Sequence, residues 1–358
     1  MTLGYPYATG KDLLGVPFPV PAQLATPPPF SLDLPASSLY VAIPNLQLPR
    51  TYEWNVAVEQ SLGLSQTISF TYIGAVGRDL LRRYFLEANS DLPVVYVTTN
   101  TGSSSYNALQ VKFQRRLSRG LQVLGSYSFS HSIDNSSDDS GLFTPPSLAA
   151  SNVDKGSSDF DLRHSFTGAL TYNVPTPEVP KVAQEILKDW SADAFAFVRS
   201  ALPVNVYGTT SVVAGVESQA RPDVLPGVPL YLYGEQYPGG KAFNAAAFTP
   251  APAGEQGDFG RNVLRGFGAW QVDFAVHRQF HLSERVGMQF RAEFFNLFNH
   301  PNFGNPVYPQ TLITSPLFGQ STENLASSLG TGGVGGGFNP LYQVGGPRSI
   351  QLALKLQF

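Results

Sequence analysis

A chain whose final residues alternate apolar and polar, then stop on an aromatic, has few folds open to it. Ile350, Leu352, Leu354, Leu356 and Phe358 share one parity, and Gln351, Ala353, Lys355 and Gln357 share the other. A period of two places the two sets on opposite faces of a β-strand. Chain ends that fray in water are usually polar, whereas here the terminal carboxylate sits on Phe358. A strand of a transmembrane barrel has this form, with the apolar parity toward lipid, the polar parity toward the lumen and an aromatic at the interface.

The same alternation recurs along the chain. Tyr52, Trp54, Val56 and Val58 oppose Glu53, Asn55, Ala57 and Glu59, and a short link at 61–65 leads to Ile68, Phe70 and Tyr72. Leu109, Val111 and Phe113 alternate with Gln110, Lys112 and Gln114, turn at 118–120, and resume as Leu121, Val123, Gly125, Tyr127 and Phe129. Further strands are expected at 166–172, at 190–198 with ambiguous facing because of Phe195 and Phe197, at 270–276 and at 286–294. Lys181 to Asp189 has the makings of a helical turn, and residues 77–106 show no sustained period. About nine spanning strands result, and their connections are by turns short and long. The expected class is all-β: an antiparallel up-and-down transmembrane β-barrel, an incomplete portion of about nine to ten strands with long outer loops. Short links at 61–65, 117–120, 174–189 and 281–285 fall on one side, and the long segments, including 131–161, 202–267 and the stretch after Phe298, on the other.

Composition agrees with this reading. Charged residues make up 14% of the 358 residues, against about 25% in ordinary soluble domains. No run of about 18 apolar residues occurs, which excludes a spanning helix and leaves a barrel as the spanning alternative. A net charge of -3 gives no electrostatic case for nucleic acid. Cysteine is absent, which removes disulfides, thiolate metal sites and cysteine nucleophiles. Residues 1–50 are proline-rich and read as an outer loop or lead-in, with 51–358 as the barrel portion. No signal peptide is legible at the start, and an odd strand count would put residues 1–50 outside; the expectation is a longer barrel protein of which this is the C-terminal part, the alternative being one further strand within 1–50 or 80–97.

The parity assigns side chains to places. Gln271, Asp273, His277, Gln289, Arg291 and Glu293 are expected to face the lumen, with their charges pairing as structure. Trp54, Tyr72, Tyr127, Tyr172 and Trp270 fit interface girdles. Asp134, Asp138, Asp139, Asp154, Asp159 and Asp161 supply oxygen ligands of the kind calcium takes, but their spacing misses the twelve-residue calcium loop, so a solvated outer loop is expected. On a strand, His277 and His281 lie about 13 Å apart, too far to share a metal. No Gly-x-Ser-x-Gly elbow or His-Glu-x-x-His helix occurs, and the glycines at 332–337 lack the Lys-Ser/Thr of a phosphate loop. No enzyme activity and no cofactor are expected.

Several ordered blocks carry a family resemblance. They include Leu46-Gln47-Leu48-Pro49-Arg50-Thr51-Tyr52-Glu53-Trp54-Asn55, Tyr72 to Arg78, Ser104 to Gln110 and Gly125 to Asp134. Phe160 to His164, Gly260 to Gly266, Phe290 to Gly304 and Pro347 to Phe358 follow. Over residues 44–358 the chain resembles the barrel domain of TonB-dependent receptors of the Oar-like type, with Leu352 where family members carry an aromatic. The resemblance implies an outer-membrane location, a wide barrel with an internal plug, and passage or surface binding of a solute through long outer loops. Its partners would be outer-membrane lipid, the barrel-assembly machinery and an unidentified solute, with an inner-membrane energy-coupling protein only if a plug lies upstream. The assembly machinery would read Ile350, Leu352, Leu354, Leu356 and Phe358 as its signal. The alternative is a surface adhesion or binding β-protein, or a remnant of a receptor without transport.

Overall fold

A computed structural model describes residues 16, 19–26, 39–86, 95–137, 154–213, 216–252, 255–283, 286–328 and 344–358. Nine long strands dominate it: β1 (Arg50–Leu62), β2 (Gln66–Leu86), β3 (Val95–Ser118), β4 (Leu121–Asp134), β5 (His164–Asn173), β6 (Trp190–Arg199), β7 (Ala269–His281), β8 (Gly287–Phe295) and β9 (Ser349–Gln357). Each pairs antiparallel with the next in sequence, so spatial order is chain order. The nine are the strands expected from the alternation. Leu39–Ala42 adds a short parallel pairing to Val95–Thr98, and Gly156–Ser157 pairs with the end of β4. Among the described residues the sheet is not closed, and β1 and β9 are its edges.

Cross-strand register makes the two faces continuous. One apolar rung runs through Val58, Phe70, Val111, Tyr127, Phe166, Val198 and Trp270. Another runs through Tyr172, Ala192, Val276, Ala292 and Leu352. A slip of one residue in any of these pairs would swap the faces, so the unshifted register along these rungs preserves the stripe from strand to strand. Val56, Val58, Leu352 and Leu354 are each more than 60% exposed on it. So broad an exposed apolar surface is foreign to water-soluble monomers and is what a lipid-facing wall requires. Gly74, opposite Trp54, makes room for the indole: a Cβ there would stand 2.3 Å from the ring.

Residues 77–106 depart from expectation. They are not an irregular loop but the continuation of β2 and β3, which reach 21 and 24 residues. The register shifts twice, between Gly77 and Leu80 and between Leu80 and Arg82. Each shift moves the alternation onto the other face, which is why the period disappears from the sequence. The described parts of the long segments are likewise folded rather than open. Val204, Val206, Phe243, Ala247, Phe248, Phe259, Leu264 and Phe318 form a buried core of their own. Small ladders pair 231–233 with 241–243 and 264–265 with 203–204. The helical turn expected after Pro175 is present as a helix, Lys181–Leu187.

Candidate functional site

Two sets of polar side chains are held by this frame. The first lies on the sheet face opposite the apolar rungs. Gln271, Asp273 and His277 of β7 and Gln289, Arg291 and Glu293 of β8 all lie on that parity, with Arg291 directly opposite His277. Arg291 Nε donates to Glu293 Oε1 at 2.7 Å, and its Nη2 stands 3.8 Å from Asp193 Oδ2. The same Asp193 oxygen is 3.3 Å from His277 Nδ1, and Thr171 Oγ1 donates to Asp193 Oδ1 at 2.8 Å. Asp193, which the sequence reading passed over on its weakest strand, is therefore the hub. Nearby, Gln271 Nε2 and the Asn296 amide both donate to Asp273 Oδ1, while the Gly345 amide donates to Gln271 Oε1. This ties the loop before β9 to the sheet.

The second set gathers at the loop end and overturns an expectation. Asp134, Asp154 and Asp161 are not solvated: their exposures are 4%, 5% and 0%. A buried carboxylate persists as an anion only where cations and donors replace its water. Asp154 lies between Arg82 and Arg221, accepting from Arg221 Nη1 at 2.8 Å. Arg261 Nη1 donates to Asp134 Oδ1 at 2.5 Å, and its Nη2 to Asp159 Oδ1 at 3.1 Å and to Ser137 Oγ. Asp161 accepts from Arg265 Nη2 at 2.6 Å and from the Ser132 amide at 2.8 Å, with His131 Nδ1 at 3.1 Å. Burial alone would raise the pKa of Asp161, but these donors outweigh it and hold the carboxyl below its ordinary value. Asp159 stays exposed, and Asp138 and Asp139 lie outside the described residues, as do the glycines at 332–337.

The arginines were invisible as partners because they sit up to 127 residues from their acids. A signal existed nonetheless, since Arg261, Arg265 and Asp161 all fall inside the family-like blocks. Beside these pairs, Asp159, Asn205, Tyr207, Arg261, Asn262, Asn305 and Thr311 line a cavity of about 650 Å³. The carboxylates are committed to arginines, and among the described residues no cluster of His, Asp and Glu is arranged to hold a metal ion. His277 and His281 approach different carboxylates, Asp193 and Asp189.

The five aromatics expected at interface girdles all stand on the apolar parity but on different rungs. Tyr127 and Trp270 share one, Tyr72 lies on that of Val56 and Leu109, and Tyr172 on that of Ala192. Trp54 covers Gly74, and Trp270 stacks on His300 with centroids 4.2 Å apart. The closing residues Ile350, Leu352, Leu354 and Leu356 pair with β8, and Phe358 is 95% exposed beyond the last pairing.

An antiparallel wall with one broad, exposed, mainly apolar face and one polar face defines an outer-membrane β-barrel protein. The chain belongs to the family described as outer membrane beta barrel domain, whose model matches residues 3–351. Its place is the cell outer membrane. No curated protein is significantly similar to it in sequence. Among solved structures it is similar to the outer membrane transporter YddB of Escherichia coli, at 10% identity and a TM-score of 0.44, covering 87% of this chain and 33% of that one. It is similar also to FpvA of P. aeruginosa, in a complex with a pyoverdine and iron, at 10% identity and a TM-score of 0.44, covering 87% and 27%. The FrpB iron transporter of Neisseria meningitidis is a third, at 13% identity and a TM-score of 0.40, covering 77% and 31%. The chain thus spans about a third or less of the length of each of these neighbours.

Proposed function

We propose that the chain forms wall and outer loops of a TonB-dependent receptor of the Oar-like type, which binds a polar solute at its loop end and admits it through the barrel. On this reading 51–358 is the C-terminal portion of the barrel, and 1–50 is a lead-in on the outer side. The carrying observation is that the long segments form a packed mass bolted to β2 and β4 by buried arginine–aspartate pairs. A surface built to recognise a solute needs such fixed positions, since ordering loops at the moment of binding costs affinity. The cavity beside Arg261 and Asn262, with Tyr207 and Asn305 on its wall, supplies polar contacts for that solute. Gln271, Asp273, His277, Gln289, Arg291 and Glu293 line the lumen, where their pairing stiffens the wall. An inner-membrane energy-coupling protein is the partner where a plug precedes this portion. The barrel-assembly machinery takes the closing strand as its substrate.

The absence of native cysteine gives a clean test. In intact cells, a membrane-impermeant maleimide labels Tyr233→Cys in the loop mass, whereas Leu64→Cys at a short turn is labelled only after permeabilisation. Cells carrying the gene then accumulate at least one labelled solute that a deletion strain does not, and de-energising the inner membrane abolishes the difference. Reversed labelling, or identical uptake by both strains, defeats the proposal.

A further inference from the structure

The short-turn end of the wall carries an element that barrel closure does not explain. The helix Lys181–Leu187 follows Pro180 and links β5 to β6. At 100° per residue, Val182, Ala183, Ile186 and Leu187 fall on one arc, and Lys181, Gln184 and Glu185 fall on the other. Ala183 is half-buried, whereas Val182 is 78% exposed and Ile186 59% exposed. A short amphipathic helix in water would turn that arc inward; here it is turned away from the protein.

Its footing shows which way it is turned. Trp190 Nε1 donates to the Ile186 carbonyl at 2.9 Å, and Arg278 Nη2 donates to the Glu185 carbonyl. Trp190 and Arg278 are cross-strand partners on the rung that continues through Phe290 and Leu354, so the helix is fixed to the apolar face. Arg278 lies on the parity given to lipid. Its guanidinium stands 4.5 Å above the Phe280 ring and 5.5 Å above Trp190, and it ends on a helix carbonyl. A cation in that position marks the edge of the hydrocarbon, where long side chains turn their charge toward the headgroups.

We infer that Lys181–Leu187 is an interfacial anchor, seating Val182, Ile186 and Leu187 among the glycerol esters of the phospholipid leaflet at the short-turn end. The inference rests on the apolar face being the lipid-facing one. Two observations select lipid as the occupant. The exposed arc is continuous with that face through Trp190 and Phe280. The local charges also cancel, with Glu178, Glu185 and Asp189 against Lys181, Lys188 and Arg278. Apolar insertion of such a helix, about 5–10 Å deep, needs no net charge and makes no demand for anionic headgroups.

The test uses the whole chain in phosphatidylcholine vesicles, with single cysteines carrying an environment-sensitive fluorophore at Val182, Ile186, Gln184 or Val198. The expected result is that probes at Val182 and Ile186 are quenched several-fold more by a lipid spin-labelled high on its acyl chain than by aqueous iodide, while the Gln184 probe shows the reverse. Adding anionic lipid leaves this ratio unchanged. If Val198 on the sheet is in lipid and Ile186 is as open to iodide as Gln184, the anchor is overturned alone. A Val198 probe in water overturns the lipid-facing sheet with it. Protection of Ile186 in cell envelopes but not in vesicles would assign the surface to a protein and also overturn the proposal.

Discussion

Arg265 and Asp161 stand 104 residues apart in sequence and meet at 2.6 Å, at a carboxylate with no exposed surface. Asp161→Asn leaves Arg265, which is 26% exposed and keeps part of its water, so the cost lies below the about 3–5 kcal/mol of a fully buried pair. The variant should lower hydrogen-exchange protection around 158–163 and 261–266 by about tenfold or more. Unchanged protection would show that the ties do not hold the loop mass.

The sign of the pH dependence follows from the same carboxyl. Its pKa in the folded protein is depressed, so its contribution is present above the unfolded value of about 3.9 and is lost as pH falls through the folded value. Protection of the loop mass should hold from neutral pH down to about pH 4 and decline only below it. Asp161→Asn should show a smaller decline, because it lacks this carboxyl while Asp134 and Asp154 remain. A wild-type transition well above about pH 4 would show that another group governs the loop mass.

On the apolar parity, Leu352→Arg places a cation on the rung of Ala292 and Val276. Its cost grows with depth, from about 0–1 kcal/mol near an interface to about 2–4 kcal/mol at the midplane of a bilayer, whereas Gln351→Arg on the opposite parity is tolerated. The fraction of each variant recovered in the outer membrane measures this directly. Equal recovery would remove the assignment of faces.

Gly74→Ala tests the indole contact. The added methyl collides with Trp54, and the half-exposed ring must swing out of its place, at a cost below the about 1–3 kcal/mol of overpacking a closed core. Tryptophan emission should shift, and Trp54→Ala combined with Gly74→Ala should be no less stable than Trp54→Ala alone. A larger loss in the double variant would mean that the glycine serves the backbone rather than the ring.

Phe358 is exposed beyond the last paired residue, so its loss removes little packing. If it serves as the assembly signal, deleting it should reduce membrane assembly far more than Gln357→Ala does. Equal insertion of both variants, read by cell fractionation, would end that assignment.

Where one face meets lipid throughout, as in β7, β8 and β9, a period of two survives intact and the strands could be read directly. It failed at Gly77–Arg82, where two register shifts exchange the faces within a few residues. It was ambiguous at β6, because Phe195 and Phe197 lie on the polar parity while alanines fill much of the apolar one. The charged wall of Gln271 to Glu293 was legible from parity, but its hub Asp193 was not. The acidic segment was misread for a different reason: local sequence shows the aspartates, while Arg82, Arg221, Arg261 and Arg265 come from remote segments that only the fold brings near.

The contrast between rungs and ties also orders events in time. Every pairing among the nine long strands joins strands adjacent in sequence, so hairpins at the short turns close with small losses and can stack onto one another. Arg261 meets Asp134 across 127 residues, with β5 and β6 between them in sequence. Because the entropy of closing so long a loop is lost before the contact is gained, we expect the wall to form first and the arginine–aspartate pairs to act as the final latch in folding, which pulse-labelled hydrogen exchange would check.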